Sequence, residues 1–356
     1  MTLFSRAFLY LSLGLVFLSI SLARGESSAN DKQVFDLPIE SGQRLKISGF
    51  RGILELKGSE NPDKVKIIVE KMPIDLTKVP EELRSNLSSW EPKVVRKGGS
   101  IELAFDMPGS KEYWSNKEAK KIAPEFKILV WGASLPVDIF WWNGKITAAN
   151  WKEKISVTLH SGEANFSGLE GTLRLSLQSG NGRVSNHKGA IVIRSYEAKI
   201  SVDKSEGAVE VDNFIGQTFL AAITGPVHMS SFNGKARLRG IKGNVDFRMQ
   251  RAALDVAGLE GSLRGDNEDG LIDVAVDGAP DIRVRSKAGK ITLHVPRMFS
   301  ANVNVGSSEG DIFIPRHIKV QRGVNMKWAV GRLQGVDKQG NIFARSKSGT
   351  IRLLVR

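Results

Sequence analysis

Six basic side chains lie close together in the sequence and have the chemistry to bind an anion: Lys235, Arg237, Arg239, Lys242, Arg248 and Arg251. Asp246 is the one acid within this run. Guanidinium groups bind phosphate or carboxylate through two parallel hydrogen bonds. The run therefore predicts a surface that binds an anionic chain, while a solvated basic face that keeps the protein soluble is the alternative that the same residues allow.

Three acidic residues are candidates for the paired carboxylates of a polysaccharide-processing enzyme, namely Asp246, Asp255 and Asp273. If positions 18 residues apart lie on neighbouring strands, Arg237 faces Asp255 and Asp246 faces Arg264. Opposite charges that face each other across strands are an ordinary means of stabilising a sheet. We therefore predict no catalytic residue, and an enzyme that processes envelope or extracellular glycans is the alternative.

Residues of the types that can bind metal ions are scattered along this chain and are not clustered. There is no cysteine, which excludes disulfides and thiolate sites. Asp203, Asp212 and Asp266 share one phase of the repeat described below, but uncharged residues interrupt them, so no column of carboxylates forms for calcium. The histidines have no partner histidine at metal-ligand spacing, and we expect them at the surface: His160, His187, His228, His294 and His317. We predict no metal and no cofactor.

A small residue at every ninth position organises the stretch from Gly144 to Leu293. The array consists of Gly144, Gly162, Gly171, Gly180, Gly189, Gly207, Gly216, Gly225, Gly234, Gly243, Gly261 and Gly270, with Ala198, Ala252 and Ala279 in intervening positions. Apolar residues follow at the second and fourth positions, as in Leu173 and Leu175. Each nonapeptide is thus one short strand and a turn, and it can bury its apolar side only by stacking on neighbours. This predicts an all-β, parallel β-solenoid whose inner residues are the second and fourth after each small residue.

The first 25 residues have the pattern of a secretory signal peptide. Positive charge precedes an apolar run over 7–22, and small residues follow at Ala23 and Gly25. An uncleaved membrane anchor is the alternative, but the run is short for the roughly 20 residues that span a bilayer. We predict export to the periplasm or cell surface, with no membrane span after cleavage. Loss of Arg6 and Arg24 with the signal lowers the net charge from +13 to +11.

Three further segments follow the signal peptide. Residues 26–143 are predicted to form a strand-rich capping module, with an insertion over 72–143 that contains one or two short helices at 80–83 and 115–122 and rejoins the repeat at Gly144. Residues 144–293 form the regular array, and 294–356 form irregular rungs and a cap. Four tryptophans are expected to seal the first rung against the cap, or alternatively to stack on sugars: Trp131, Trp141, Trp142 and Trp151.

The end of the chain repeats the motif less regularly. A restart at Ser308–Ile314 is followed by a predicted loop over 315–326. Two last units begin at Gly340 and Gly349, nine residues apart. We expect Arg352 and Arg356 to put charge on the final, exposed edge of the stack.

Three short sequence segments resemble those of a known family: Ser205-Glu206-Gly207-Ala208-Val209-Glu210-Val211, Glu309-Gly310-Asp311-Ile312 and Ser348-Gly349-Thr350-Ile351-Arg352-Leu353. The chain resembles the bacterial β-strand-repeat family of unknown function named “putative adhesin”, and is similar to head domains of proposed autotransporter adhesins. The resemblance covers most of the chain after the signal peptide, while residues 76–113 depart from it. It implies an exported envelope protein with a parallel β-solenoid fold.

Together these patterns predict a non-enzymatic cell-envelope protein that presents a rigid surface for adhesion or binding. The expected partner is an anionic envelope glycan or another envelope protein. Nucleic acid is not expected, because an exported protein seldom meets it and the arginines of the basic run have no aromatic platform between them on which bases could stack. The oligomeric state is not specified by any of these patterns.

The glycines of the array are predicted to lie at corners with positive φ, or where no side chain fits. Replacement of Gly225 or Gly234 by Val should therefore lower the free energy of unfolding by roughly 1 to 3 kcal/mol at each site. Thermal denaturation measures this, and an unchanged melting temperature in both variants would refute the corner assignment.

Overall fold

The computed structural model describes residues 32–59, 64–72, 77, 81, 84, 91–105, 125–132, 135–279 and 281–356. Most of these residues are in strands, which form one 23-stranded sheet. The strands are β1 Lys32–Pro38, β2 Arg44–Gly58, β3 Lys64–Lys71, β4 Pro92–Lys97, β5 Ser100–Phe105, β6 Phe126–Gly132, β7 Val137–Ala149, β8 Ile155–Ser167, β9 Leu173–Lys188, β10 Ile191–Glu206, β11 Val209–Thr224, β12 Val227–Lys242, β13 Val245–Glu260, β14 Ser262–Asn267, β15 Ile272–Val276, β16 Asp281–Ser286, β17 Ile291–Val295, β18 Phe299–Ser307, β19 Ile312–Phe313, β20 Val320–Arg322, β21 Lys327–Leu333, β22 Asp337–Ser346 and β23 Ile351–Val355.

Strands β7 to β13 form a parallel stack in which each strand carries two nonapeptides. Ile191 lies opposite Val209, and Val209 lies opposite Val227, so the register advances by 18 residues per rung. The predicted pairing of Arg237 with Asp255 is confirmed. The chain is thus all-β with a long, mostly parallel sheet, an architecture compatible with the predicted solenoid.

Apolar side chains at the second and fourth positions of each unit are buried, as predicted. Leu173, Leu175, Ile191 and Ile193 are each at most 1% exposed. A third inward position was missed in the second unit of each rung, seven residues after the small residue: Leu169, His187, Ser205, Ile223, Ile241 and Leu259. The core therefore includes polar side chains that the repeat pattern did not identify.

The corner assignment of the glycines is confirmed at the positions chosen to test it. Gly225 has a φ of 144° and Gly234 a φ of 143°. A Cβ atom on Gly234 would lie 1.8 Å from the carbonyl oxygen of Gly216 on the preceding rung. Gly240 provides a matched control, because its φ is 61° but a Cβ there would approach nothing closer than 4.0 Å. Gly240→Ala should therefore cost less stability than Gly234→Ala.

At two rungs the small residue at the corner is an alanine, Ala198 or Ala252, and the backbone there has no positive φ. In both cases a buried asparagine of the next rung donates its amide to the carbonyl oxygen of the alanine. Asn213 Nδ2 lies 3.0 Å from the oxygen of Ala198, and Asn267 Nδ2 lies 2.8 Å from the oxygen of Ala252. Satisfying these carbonyls inside the core offsets the cost of burying the amides.

The N-terminal strands are threaded so that β2 does not form the end of the stack. β2 pairs in parallel with β7 on one side and with β5 and β6 on the other. Antiparallel strands then cover the outer edge, with β4 on β5 and β3 on β6. The insertion rejoins the stack at Val137 rather than Gly144, because β5 and β6 form a rung of their own. Apart from Glu81, the predicted helices at 80–83 and 115–122 lie outside the described residues.

The C-terminal strands use the same threading. The register advances by 19 residues between Ile272 and Ile291, which displaces Ala279 from the array and puts Gly289 over Gly270. β23 lies between β17 and β19, and β22 between β16 and β18. The expectation that Arg352 marks the exposed edge is therefore wrong. Within the predicted loop over 315–326, the chain forms β20, which pairs antiparallel with β21.

The four tryptophans do not form one cluster. Trp141 and Trp151 are fully buried, and the indole nitrogen of Trp151 donates to the carbonyl oxygen of Leu135 at 2.9 Å. Trp131 is 51% exposed, whereas the Trp142 ring stacks on His160 with centroids 3.9 Å apart. Only two of the four therefore seal the core near the first rungs.

His187 corrects the expectation that all the histidines lie at the surface. It is 1% exposed, and neither ring nitrogen makes a well-formed hydrogen bond within the described residues. Burial lowers the pKa of the imidazole, an effect that the carbonyls of Ala190 and Gly171 oppose only in part. Burial in the folded protein thus favours the neutral form of the His187 imidazole.

His187→Leu should raise stability, because Leu169 and Ile223 occupy equivalent positions of the same column. A lowered pKa in the folded state means that wild-type stability falls as pH drops below about 6.5, where the unfolded chain binds the proton first. The variant should lose this dependence and gain about 1 to 3 kcal/mol at neutral pH. Denaturant unfolding at several pH values measures both effects. His317→Leu, at an exposed site, should keep the wild-type pH dependence, and an unchanged pH profile in His187→Leu would contradict the assignment.

Candidate anion-binding surfaces

Each strand from β9 to β13 is divided into two halves by a small residue, namely Gly180, Ala198, Gly216, Gly234 and Ala252 in order. The inward side chains of both halves form the core. We call the outward side chains of the first halves the first face and those of the second halves the second face. On each face, residues 18 positions apart form a column along the stack.

The six predicted anion-binding residues are not brought together on one face. Lys235, Arg237 and Arg239 belong to the second face of β12, and Lys242 ends that strand. Arg248 lies on the first face of β13, and Arg251 lies at the corner beside Ala252. The bend of each rung at its small residue separates these groups, although they are close in sequence.

Two of the predicted arginines share one carboxylate. Arg239 Nη2 lies 2.6 Å from Asp255 Oδ2, and Arg237 Nε lies 3.8 Å from the same oxygen. The hydrogen bond from Arg239 lowers the pKa of the Asp255 carboxyl, and the charges of Arg239, Lys235 and Arg237 add to this effect. Lys242 Nζ likewise lies 3.7 Å from Glu260 Oε1. These pairs neutralise part of the predicted basic run.

The second face nevertheless carries a groove of about 410 Å³ without any carboxylate in its lining. We call it the basic groove, and its cations are Arg183, Lys199, Lys235 and Arg237. Among them lies Phe219, which is 39% exposed and pairs in register with Arg237 on the next strand. An aromatic residue of the preceding strand therefore lies beside Arg237, and this neighbour is not visible in the sequence of the basic run itself.

Three cations of the basic groove are free of carboxylate partners. Within the described residues, Arg183, Lys199 and Lys235 form no ion pair, although the charge of Lys235 also acts on Asp255. Sequence reasoning missed Arg183 and Lys199 because they precede the basic run by whole rungs. The 18-residue spacing from Lys199 to Gln217 and Lys235 was the available signal.

A second groove, of about 600 Å³, lies on the first face and contains both signs of charge. Its charged lining comprises Glu210, Asp212, Asp246, Asp266, His228, Arg248, Arg264, Arg283 and Arg285. His228 Nδ1 lies 3.5 Å from Asp246 Oδ2, and the hydroxyl of Ser230 donates to Asp212 at 2.5 Å. Ser230 is thus held by a carboxylate and not by a histidine, so these residues do not form a catalytic triad.

The candidate catalytic carboxylates are placed as charge partners. Asp255 and Asp273 are neighbours on the second face, whereas Asp246 is on the first face. A general acid needs a raised pKa, but the pKa of Asp255 is lowered by Arg239. Asp273 Oδ1 contacts His294 Nε2 at 3.1 Å. No group of three metal-binding side chains occurs within the described residues.

Aromatic rings form a column at the corner between the two faces. Tyr196 stacks on Phe214 with centroids 5.3 Å apart, and Phe214 stacks on Phe232 at 4.7 Å, with interplanar angles of 14° and 10°. The ring faces are turned toward one another, so mainly their edges are left for solvent. This column therefore stabilises adjacent rungs and is poorly suited to stacking on sugar rings.

No helix within the described residues is long and apolar enough to span a bilayer. This observation concerns only the residues that the structure describes.

The chain matches no protein-family profile and no curated protein sequence. Among solved structures it is similar to a “putative cell adhesion protein” from Clostridium sporogenes, with 13% identity, 91% of this chain and 100% of that chain covered, and a TM-score of 0.19. A “putative lipid binding protein” from Parabacteroides distasonis has 12% identity, coverage of 92% and 97%, and a TM-score of 0.29. A “putative adhesin” from Bacteroides fragilis has 12% identity, coverage of 91% and 97%, and a TM-score of 0.23. Two of these names agree with the family resemblance.

Asp255→Asn tests the ion pairs on the second face. The lowered pKa of Asp255 means that its carboxylate stabilises the fold at neutral pH and that this contribution is lost as pH falls through the folded pKa. We expect the variant to be less stable than wild type at about pH 7, and we expect a smaller deficit at about pH 3, which is below the ordinary pKa of an aspartic acid. Urea unfolding at both pH values measures the difference. An equal deficit at both values would show that the loss comes from packing instead of charge.

Proposed function

We propose that this chain is an exported, non-enzymatic envelope protein that binds an extended acidic polysaccharide along its basic groove. The observation that carries the proposal is the set of three cations, Arg183, Lys199 and Lys235, that share a groove without a carboxylate. Export is supported by the signal-peptide pattern of residues 1–25. We propose that the exported protein is located in the periplasm or at the cell surface.

The spacing of the cations fits a polymer better than a compact ligand. They lie on β9, β10 and β12, so they span three strand spacings, or roughly 14 Å along the stack. A chain that carries a carboxylate on successive sugars can contact several of them at once. A small anion would reach only one or two.

The remaining lining of the groove favours a sugar polymer. Phe219 exposes apolar surface between the cations, and Gln217 offers an amide on the same strand. A sugar ring has an apolar face and polar edges, which suits this combination. Nucleic acid has the same charge and also stacks on aromatic rings, so it is an outcome that the binding experiment must distinguish.

The proposal is tested by titrating the mature chain with alginate, an acidic polysaccharide, and with neutral dextran. The variant Arg183→Gln/Lys199→Gln/Lys235→Gln should bind alginate about 10- to 100-fold more weakly, since each exposed charge contact contributes about 0.5 to 1 kcal/mol. Wild-type affinity should fall as salt rises to physiological levels, and dextran should not bind.

A matched control removes three arginines from the first face, Arg174→Gln/Arg248→Gln/Arg285→Gln. It has the same net charge as the groove variant and should retain alginate binding within a few-fold. Equal weakening in both variants would attribute binding to net charge and end the groove assignment. Tighter binding of single-stranded DNA than of alginate, lost in the groove variant, would replace the polysaccharide with nucleic acid.

A further inference from the structure

A second positive surface lies at the C-terminal end of the stack. Residues 312–336 contain no acidic residue but contain Arg316, Lys319, Arg322, Lys327 and Arg332. The segment forms β20 and β21, with the turn between them and the residues that lead into β20. None of these cations belongs to the basic groove.

The topology places this segment beyond the last parallel rung. β21 pairs antiparallel with β18, and β20 pairs antiparallel with β21. Ile318 is 5% exposed and packs against Gly331 of β21, which fixes the approach to β20. We call residues 315–328 the cap hairpin. Because β20 is the outer strand, the cap hairpin forms part of the end surface of the stack.

An apolar side chain stands at the tip of the cap hairpin. The turn is closed by a hydrogen bond from the amide of Gly323 to the carbonyl oxygen of Met326 at 2.8 Å. Val324 in that turn is 100% exposed, and Val320 on the outer strand is 38% exposed. Trp328 lies close behind Gly323 and is half-buried. A valine side chain that is fully exposed to water makes no hydrophobic contribution to stability. It would make one if a binding partner covered it.

Most of the surrounding charge is uncompensated. Lys327 Nζ lies 2.6 Å from Asp311 Oδ1, and this contact lowers the pKa of Asp311. Arg316, Lys319 and Arg322 are exposed, and within the described residues they form no ion pair, although the charge of Arg322 also acts on Asp311. The tip is thus an apolar point within a group of free cations.

We propose that the cap hairpin binds an anionic lipid surface, with Val324 entering the interfacial layer and Arg316, Lys319 and Arg322 contacting the headgroups. Exposed apolar side chains combined with Lys and Arg are what peripheral binding to anionic membranes requires. An acidic polysaccharide would satisfy the cations but would offer no apolar layer for Val324. This surface and its ligand are separate from the basic groove and do not depend on the proposed function.

The structural alternative is that these charges only prevent other chains from pairing with the exposed edge of β20. In that case the cap hairpin would have no affinity for lipid beyond that of any other basic surface of the protein. The experiment must therefore separate the position of the charges from their number.

The test is flotation of the mature chain with vesicles made of equal parts phosphatidylcholine and phosphatidylglycerol, and with vesicles of phosphatidylcholine alone. We expect binding to the anionic vesicles only. Arg316→Gln/Lys319→Gln/Arg322→Gln should bind about 100-fold more weakly, since each cation near an anionic surface contributes about a five-fold factor. Val324→Ser should weaken binding several-fold, and high salt should leave this apolar contribution in place.

The groove variant Arg183→Gln/Lys199→Gln/Lys235→Gln is the matched control, because it loses the same charge elsewhere and should keep vesicle binding within a few-fold. Equal weakening in the two triple variants, or no weakening in the cap variant, would overturn the proposal. Unchanged binding of Val324→Ser would overturn the insertion of the valine. The substituted side chains are exposed, so unchanged thermal unfolding is expected and confirms that each variant is folded.

Discussion

Small residues of successive rungs bring their backbones into close contact, and the rest of the structure depends on this contact. At Gly234, a Cβ atom would lie 1.8 Å from the carbonyl oxygen of Gly216, so the chain can bend there only without a side chain. This contact fixes the register at 18 residues and turns both halves of each rung toward a common core. Where alanine replaces glycine, an asparagine of the next rung bonds the alanine carbonyl and the register is kept.

A long parallel stack has two open ends, and the same solution is used at both. The first strand of the described chain that belongs to the stack, β2, lies inside it, as does the last strand, β23. The outermost parallel strands come from later or earlier parts of the chain, and antiparallel strands cover three of them, β5, β6 and β18. The edges of these three strands are therefore not open for pairing with other molecules. This arrangement also leaves the cap hairpin at one end, where its side chains are accessible.

Because alternate residues fill the interior, the outward residues are the ones that are accessible to a ligand. The columns along the stack bring together side chains that are far apart in sequence, as Lys199 and Lys235 show. Arginines that are near neighbours in sequence can instead be neutralised by the next rung, as Arg239 is by Asp255. The net charge of the chain therefore says little about where an anion binds. The distribution of unpaired cations along a column is the better guide.

The sequence by itself determined the period of the stack, its inner residues such as Leu173, the corners at Gly225 and Gly234, and the pairing of Arg237 with Asp255. These follow from local rules, because alternation and the need for small residues are visible within nine positions. Tertiary structure alone decided that His187 is buried, that Arg248 and Arg237 lie on different faces, and that β23 lies inside the stack. Each of these depends on which rung lies next to which, and the insertions that set this order leave no periodic signal. The basic groove and the cap hairpin follow from that order, since both consist of residues that only stacking or threading makes neighbours.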